Sequence, residues 1–330
     1  MKFAKKFVVM IAGTGLMILS EVATVAQAAS LRYLSDFGNF GSGNGQFDFP
    51  SAVAIAPSGN VYVADEFNSR IQVFNSNGGF LSSFSDGISY PNAIAVAPSG
   101  NVYVADAGGQ NVSIFDSSGS FLSSFGSFGS GNGQFNGLAD IAIAPSNTIY
   151  VADAGNERIQ IFDSSGGFLS SFGIGDGQFF EPSSISVASS GNIYVANTAT
   201  SSIDIFNSSG SWISSFGDSL FDPSGIAITA SGNIYVADTG DNQIEMFNSK
   251  SDFLSLFGDS GHGSGQFNRP IDIAVGPSGN VYVADLGNNR IQVFTPVPET
   301  SSTVGVLIFG VVSIGWYLKR RLKKRGSLEE

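Results

Sequence analysis

The chain contains no cysteine and only one histidine, His262, among its 330 residues. The missing cysteine excludes a thiol nucleophile and a disulfide framework, so the fold must depend on its core and on backbone pairing. A single histidine excludes any site that needs two. Charged residues make up 13% of the chain, whereas 42 glycines indicate many turns and the 42% apolar content can bury a large core. These features predict a folded, mostly β protein.

Basic residues are scarce between the two ends of the chain. Six Lys or Arg residues lie between Ser30 and Pro296, against 23 Asp or Glu residues, which gives this segment a net charge of −17. A surface this acidic repels the phosphate backbone of nucleic acids. We therefore expect no nucleic-acid partner.

The two ends have the patterns of export and anchoring segments. Three lysines, the apolar run FVVMIAGTGLMIL and the small-residue sequence AQA predict a signal peptide over residues 1–28. Near the other end, an apolar stretch from Thr303 to Leu318 closes with Trp316 and Tyr317 and is followed by KRRLKKR. An aromatic belt and a basic cluster favour a transmembrane helix with a cytoplasmic tail. The segment between, residues 30–296, is then an exported domain.

Six copies of one pattern fill the exported segment. Its tyrosine recurs at spacings of 41, 47, 44, 41 and 47 residues, at Tyr62, Tyr103, Tyr150, Tyr194, Tyr235 and Tyr282. Each copy has four short strand patterns, such as SAVAIA, VYVAD, RIQVF and FLSSF, separated by turn residues such as PSGN. Four antiparallel strands at this period predict an all-β, six-bladed β-propeller.

The order of the strand patterns predicts how the ring closes. A fourth-strand pattern, YLSDF, occurs before the first YVAD, whereas the last repeat ends after its third-strand pattern RIQVF. We therefore expect Leu31–Phe37 to complete the sixth blade, so that no sheet edge stays open between the chain ends.

The combined pattern GQF…P…IAVAPSGNVYVAD…N.RIQVF…G.FLSSFG resembles the NHL repeat, over residues 31–295. The segment 297–330 resembles the PEP-CTERM sorting signal of bacteria that secrete exopolysaccharide. Val297, Pro298 and Glu299 match its short motif, and the apolar stretch and basic cluster follow in order. This resemblance implies recognition by an exosortase-like processing enzyme and a location at the cell envelope, or outside the cell after processing.

An aspartate ends the second strand of five repeats, and an arginine begins the third strand of three repeats. The resulting pairs are Asp65 with Arg70, Asp153 with Arg158, and Asp285 with Arg290. A reactive pair is normally needed once, whereas a group repeated around a ring belongs to the architecture of the repeat. We interpret these pairs as structural clips in which the aspartate also caps backbone N–H groups of its loop.

Glycine-rich loops such as GSGNGQF connect several repeats. His262 replaces a serine in one of them, which indicates an ordinary loop residue. The phenylalanines that follow these loops are interpreted as plugs between blades, with ligand stacking as the alternative; they are Phe47, Phe135, Phe179 and Phe267.

The repeats differ at one position of the innermost strand, which reads Ala52, Ala93, Asp140, Ser184, Gly225 and Asp272. Blades three and six lie opposite each other in a six-bladed ring, so Asp140 and Asp272 would face across the central channel, with Asn92 near its mouth. Oxygen ligands of this kind suit Ca²⁺ better than Zn²⁺. The alternative is two solvated acids in a water-filled channel.

Two functions follow from these patterns. The first is a non-enzymatic scaffold that binds an envelope protein or exopolysaccharide through its variable loops. The residues of these loops are small, polar and poor in aromatics, which favours weak or multivalent contacts. The second is a calcium-dependent lactonase-like or lyase-like hydrolase using the channel, which resemblance to other six-bladed propellers implies. The lyases of this kind rely on several histidines, and we assign no catalytic residue here. RNA binding and ubiquitin ligation, known for animal NHL proteins, conflict with the charge and the predicted export.

Overall fold

The computed structural model describes residues 30–173 and 181–297 of the chain. The predicted signal peptide, the predicted transmembrane stretch, Pro298, Glu299 and Phe179 lie outside these residues. Within the described ranges, no helix is both long and apolar enough to cross a bilayer.

Six four-stranded antiparallel sheets form the blades of a β-propeller. The innermost strands are β2 (Pro50–Ile55), β6 (Pro91–Val96), β10 (Leu138–Ile143), β14 (Pro182–Val187), β18 (Pro223–Ile228) and β24 (Pro270–Val275). The second strands are β3 (Val61–Asp65), β7 (Val102–Asp106), β11 (Ile149–Asp153), β15 (Ile193–Asn197), β19 (Ile234–Asp238) and β25 (Val281–Asp285). The third strands are β4 (Arg70–Phe74), β8 (Asn111–Phe115), β12 (Arg158–Phe162), β16 (Ser202–Phe206), β20 (Gln243–Phe247) and β26 (Arg290–Pro296). The outer strands are β1 (Leu31–Phe37), β5 (Phe80–Phe84), β9 (Phe121–Phe125), β13 (Phe168–Phe172), β17 (Trp212–Phe216) and β21 (Phe253–Phe257).

Short elements complete the described fold. A parallel pair precedes blade six, formed by β22 (Asp259–Ser260) and β23 (Gln266–Phe267). Single-turn 3-10 helices connect second to third strands in four blades, at Glu66–Asn68, Ala154–Asn156, Thr239–Asp241 and Leu286–Asn288.

The predicted ring closure is confirmed. Strand β1 pairs antiparallel with β26, from Leu31 opposite Pro296 to Phe37 opposite Ile291, so the first residues of the ring complete its last blade. The backbone N–H of Val297 also donates a hydrogen bond to the carbonyl of Ser30 at 2.9 Å. The two ends of the described chain therefore emerge side by side.

The propeller has two different ends, which we call the turn face and the loop face. The turn face carries the tight turns between first and second strands, and Ser30 and Val297 lie there. In blade one this turn needs Gly59 at φ +87°, a conformation that glycine adopts without a steric penalty. The loop face consists of the connections into each blade and the loops between second and third strands; in blade one these are residues 38–49 and 66–69.

The core lies between neighbouring blades. In the second strand of blade one, Tyr62 and Ala64 pack towards blade two, whereas Val61 and Val63 pack towards blade six. Both faces of this strand are therefore buried, which explains its continuous apolar sequence. Each fully buried aliphatic side chain stabilises such a core by about 1.5–3 kcal/mol.

The interpretation of the loop phenylalanines as plugs is correct for the three that the structure describes. Phe47, Phe135 and Phe267 are fully buried. The ring of Phe47 packs between Phe37 of blade six and Phe74 of blade one, with centroids 6.4 and 5.5 Å away. Gly38 is required beside it, because a Cβ atom at that position would collide with the Phe47 ring. These rings join blades and offer no face to a ligand.

Candidate functional site

Each Asp–Arg pair lies on the loop face and joins two segments of one blade. The Asp65 carboxylate accepts hydrogen bonds from Arg70 Nε at 2.7 Å, Gln72 Nε2 at 2.9 Å and the backbone N–H of Asp48 at 2.8 Å. Blades three and six repeat this arrangement, with Arg158 Nε 2.7 Å from Asp153 and Arg290 Nε 2.9 Å from Asp285. The aspartates are fully buried, so their charges are held by fixed partners and are not presented to a substrate.

These aspartates do not cap the loop that follows them. The 3-10 turn Glu66–Asn68 receives no capping hydrogen bond from Asp65, whose backbone partner belongs instead to the connection that enters the blade. Arg70 Nη2 donates to the carbonyls of Gly43 and Gln46 in that same connection. The expectation that the aspartate caps the following loop was wrong for these three blades, because strand register brings the entering connection, which is distant in sequence, against the end of the second strand. In blade two the expectation holds, since Asp106 accepts a hydrogen bond from the backbone N–H of Gly108 at 3.0 Å.

Asp140 lies in the channel and connects blades three and four. Its carboxylate accepts hydrogen bonds from the backbone N–H groups of Ile141 and Ile185, at 2.7 and 2.8 Å. The hydroxyl of Ser184, on the innermost strand of blade four, donates to the same carboxylate at 2.8 Å. Asp140 therefore links the innermost strands of two adjacent blades.

Asp272 connects blade six to blade one in the same way. Its carboxylate accepts hydrogen bonds from the backbone N–H groups of Ile273 and Val53, both at 2.8 Å. Asp140 and Asp272 both line a cavity of about 570 Å³ at the loop-face mouth of the channel.

The two channel carboxyl groups are coupled electrostatically. Burial raises the pKa of Asp140 to about 6. Burial, together with the negative charge of Asp140, raises the pKa of Asp272 to about 8. Each side chain keeps some solvent contact inside the narrow channel, but protein surrounds it and disfavours a second negative charge. The pair therefore carries about one proton near neutral pH.

Asn92 lines the same cavity and supplies little towards a metal site in this conformation. Its Nδ2 group donates to the carbonyls of Leu138 and Ala139, and its Oδ1 atom is buried without a hydrogen-bond partner. Across residues 30–173 and 181–297, no three His, Cys, Asp or Glu side chains are grouped closely enough to hold a metal ion. Calcium takes about six to eight oxygen ligands. Asp140, Asp272 and Asn92 provide part of such a shell, and the calcium site stays a prediction.

His262 is exposed on the connection into blade six. Its Nδ1 atom lies 2.5 Å from Oδ1 of Asn288, in the neighbouring loop of the same blade. The side chain does not line the channel cavity.

Aromatic side chains from three loops meet on the loop face of blades one and two. The rings of Phe49 and Phe67 stack with centroids 4.5 Å apart and an interplanar angle of 24°, and Tyr90 meets Phe67 edge-on at 6.2 Å. Phe67 and Tyr90 remain 49% and 51% exposed. We call Phe49, Phe67 and Tyr90 the aromatic patch. The expectation that these loops are poor in aromatics is wrong here, because the three rings come from three separate loops and only the fold brings them together.

The loop face carries three more exposed phenylalanines, namely Phe40 (68%), Phe128 (71%) and Phe221 (52%). Among the described residues, the exposed large apolar side chains elsewhere lie on the outer strands, apart from Val297 on the turn face. Exposed aromatic residues are typical of interaction surfaces. Five of the exposed aromatic side chains of the described residues, Phe40, Phe67, Tyr90, Phe128 and Phe221, therefore lie on the loop face.

Comparison with known proteins identifies the repeats. The NHL repeat model matches residues 47–74, 222–247 and 267–294, and a model described as a 6-bladed beta-propeller matches residues 85–174. Over 48 residues, 14% of the chain, the sequence is 50% identical to the B-box type zinc finger protein ncl-1 of Caenorhabditis elegans, and the match spans 6% of that protein.

Two solved structures share the fold over most of the chain. Virginiamycin B lyase from Staphylococcus aureus has a TM-score of 0.58 at 15% identity, covering 82% of this chain and 100% of that one. A protein of unknown function from Bacteroides thetaiotaomicron has a TM-score of 0.64 at 16% identity, covering 82% of this chain and 76% of that one. Identities this low show a shared fold alone. The chain is a six-bladed β-propeller that contains NHL repeats.

Proposed function

We propose that this protein is a non-enzymatic binding module, exported and held at the cell envelope, whose loop face binds an envelope protein or exopolysaccharide. The observation that carries the proposal is the concentration of exposed aromatic rings on the loop face, where the connecting loops also differ most between blades. Aromatic residues supply large contact areas at low entropic cost, and they are enriched in interfaces.

The two ends of the described chain lie on the turn face, and this position favours a loop face that points away from the membrane. Ser30 and Val297 are hydrogen-bonded to each other on the turn face. An anchor formed by residues 297–330 would then hold the propeller by its turn face and direct the loop face away from the membrane. Processing by an exosortase-like enzyme would act on the same segment and release the propeller.

Anchoring is tested by removing residues 297–330. The shortened protein should appear in the periplasm or medium, whereas the full chain stays with the membrane fraction until it is processed. Equal membrane retention of both proteins contradicts the anchor. Mass spectrometry of the mature C-terminus distinguishes a permanent anchor from a cleaved one.

Binding is tested by capture from the host's separated envelope-protein and exopolysaccharide fractions. A Phe67→Ser, Tyr90→Ser variant should lose the captured component. A Phe121→Ser, Leu169→Ser variant is the matched control, because it removes comparable exposed apolar area from the outer strands. Equal capture by both variants and the unchanged protein contradicts a loop-face site.

A lactonase-like or lyase-like enzyme is the second candidate. It is favoured by one observation, the Asp140 and Asp272 carboxyl groups with raised pKa values in a shared cavity, since perturbed pairs of this kind occur in catalytic sites. A panel of lactone and streptogramin substrates, assayed with and without calcium, tests it. Turnover that disappears in Asp272→Asn would support an enzyme and overturn the binding-module proposal.

A further inference from the structure

The loop between the second and third strands of blade one departs from the other five blades. Glu66 and Phe67 follow the strand-ending aspartate there. The equivalent pairs are small or aliphatic, namely Ala107 and Gly108, Ala154 and Gly155, Thr198 and Ala199, Thr239 and Gly240, and Leu286 and Gly287. The architecture of the repeat therefore needs neither a carboxylate nor a ring at these positions, so their presence in blade one calls for another explanation.

Glu66 is a partly buried carboxylate without a counter-ion. Within the described part of the chain, its side chain makes no hydrogen bond and no ion pair. Burial raises the pKa of Glu66, because the charged form loses water and gains no partner. A cation placed beside the Glu66 carboxylate would offset the free-energy cost of its desolvation.

Phe49 links Glu66 to the aromatic patch. It lines the channel-mouth cavity together with Glu66, and its ring stacks on Phe67. Its backbone has φ +63°, in the left-handed region that bulky side chains disfavour. Blade two also has an aromatic residue at this position, Tyr90 of the patch, whereas the other four blades have Gly137, Glu181, Asp222 and Arg269. Aromatic rings at this position are therefore confined to the two blades that form the patch.

The cavity beside the patch is electronegative. Four carboxyl groups line it, those of Glu66, Asp140, Glu181 and Asp272, against one guanidinium group, that of Arg269. The domain as a whole carries a net charge of −17. Such a field attracts cations and repels anions during encounter.

We propose that Glu66 and the aromatic patch bind an arginine side chain of a partner protein. This inference rests on the proposed binding function and names the chemistry of its partner. A planar guanidinium group can stack on an aromatic face while its N–H groups donate to a carboxylate, which combines the two features of this site. A neutral sugar could stack on the rings but would leave the Glu66 charge unpaired.

Direct binding of defined peptides to the full-length protein tests the proposal. The probe is the acetylated and amidated peptide Arg-Gly-Arg-Gly-Arg, titrated by calorimetry, with the same peptide containing neutral citrulline as its matched control. We expect binding of the arginine peptide to exceed that of the citrulline peptide by about tenfold or more, since charge-assisted hydrogen bonds are the stronger class.

Two pairs of variants locate the site. Glu66→Gln and Phe67→Leu should each weaken binding by about fivefold or more. Glu157→Gln and Phe128→Leu are the controls, because they remove a carboxylate and an aromatic ring from parts of the loop face outside the patch. They should change the affinity by less than about twofold. Unchanged melting temperatures establish that the variants are folded.

The outcomes separate this inference from the proposed function. Equal binding of the citrulline peptide, or equal effects of Glu66→Gln and Glu157→Gln, overturns the arginine site. Absence of peptide binding overturns it as well. If the Phe67→Ser, Tyr90→Ser variant still loses capture of exopolysaccharide in that case, the loop face binds a saccharide and the proposed function stands without the arginine site.

Discussion

Arg290 donates a hydrogen bond from Nη1 to Oδ2 of Asp36 at 3.0 Å, across 254 positions of the sequence. The same guanidinium group donates from Nε to Asp285 at 2.9 Å. Asp36 occupies a position of the closing strand that is serine in the outer strands of blades one to four. One arginine thus joins the repeated clip of blade six to the strand that closes the ring.

Ring closure should depend mainly on strand β1 and only slightly on this ion pair. Deleting residues 31–37 bares an edge of β26, so we expect aggregation or a large loss of thermal stability. Asp36→Ser keeps the strand and removes a partly exposed ion pair, which should cost about 1 kcal/mol or less. Thermal unfolding followed by circular dichroism measures both. A deletion variant that melts like the full protein contradicts closure by β1.

In blade three, removing Asp153 alone should destabilise the fold more than removing both Asp153 and Arg158. Asp153→Asn leaves the Arg158 guanidinium group buried without a counter-ion, and we expect a loss of about 3–5 kcal/mol in the free energy of unfolding. The double variant Asp153→Asn, Arg158→Ser reproduces the combination of Asn197 and Ser202 in blade four and should cost less. Denaturant unfolding measures each change.

The control for this series is Asp116→Asn, in an exposed turn where blades one, four and five have asparagine. It should change stability by less than about 0.5 kcal/mol. A double variant that is as unstable as Asp153→Asn alone contradicts a coupled clip.

The channel carboxyl groups should make stability fall as pH rises. Asp140 and Asp272 have raised pKa values, about 6 and about 8, so the folded state holds its protons more tightly than the unfolded state, whose carboxyl pKa is about 4. Their contribution is therefore fully present below about pH 4 and is lost as pH rises through 6 and 8. Melting temperatures of Asp272→Asn should decline less between pH 5 and pH 8.5 than those of the unchanged protein.

The test compares how steeply the melting temperature falls with pH. Losing the Asp272 carboxylate as a hydrogen-bond acceptor lowers the melting temperature at every pH and so does not change this slope. Asp259→Asn, which removes an exposed acid, should leave the slope unchanged. Parallel profiles for all three proteins contradict coupling between Asp140 and Asp272.

Calcium should raise the melting temperature if the two carboxylates hold it. A bound cation relieves their repulsion, and ligand at about 100 times its dissociation constant stabilises the folded state by about 2.7 kcal/mol. Asp140→Asn combined with Asp272→Asn should abolish the increase, whereas Glu157→Gln combined with Asp259→Asn should preserve it. An equal response of both double variants indicates general screening of the acidic domain and excludes a channel calcium site.

The sequence by itself determined the ring. Six copies of a four-strand pattern, the alternation of apolar residues and the early YLSDF pattern were enough to predict six blades, their strand order and closure through Leu31–Phe37. This works because each blade is a local unit whose strands pair with their sequence neighbours, so short-range patterns carry most of the information. The Asp–Arg pairs were also readable, since their repetition marked them as part of the architecture.

Only the tertiary structure decided what the loops bring together. Phe49, Phe67 and Tyr90 belong to three separate loops. The stacking of Phe49 on Phe67 depends on how two loops of blade one meet, and the contact with Tyr90 depends on how blade two packs beside blade one. Likewise, Asp140 and Asp272 each accept a hydrogen bond from a backbone N–H group of the next blade, which no local pattern encodes. Long-range contacts set by blade packing therefore decide the chemistry of both the aromatic patch and the channel, whereas the repeat pattern decides the fold.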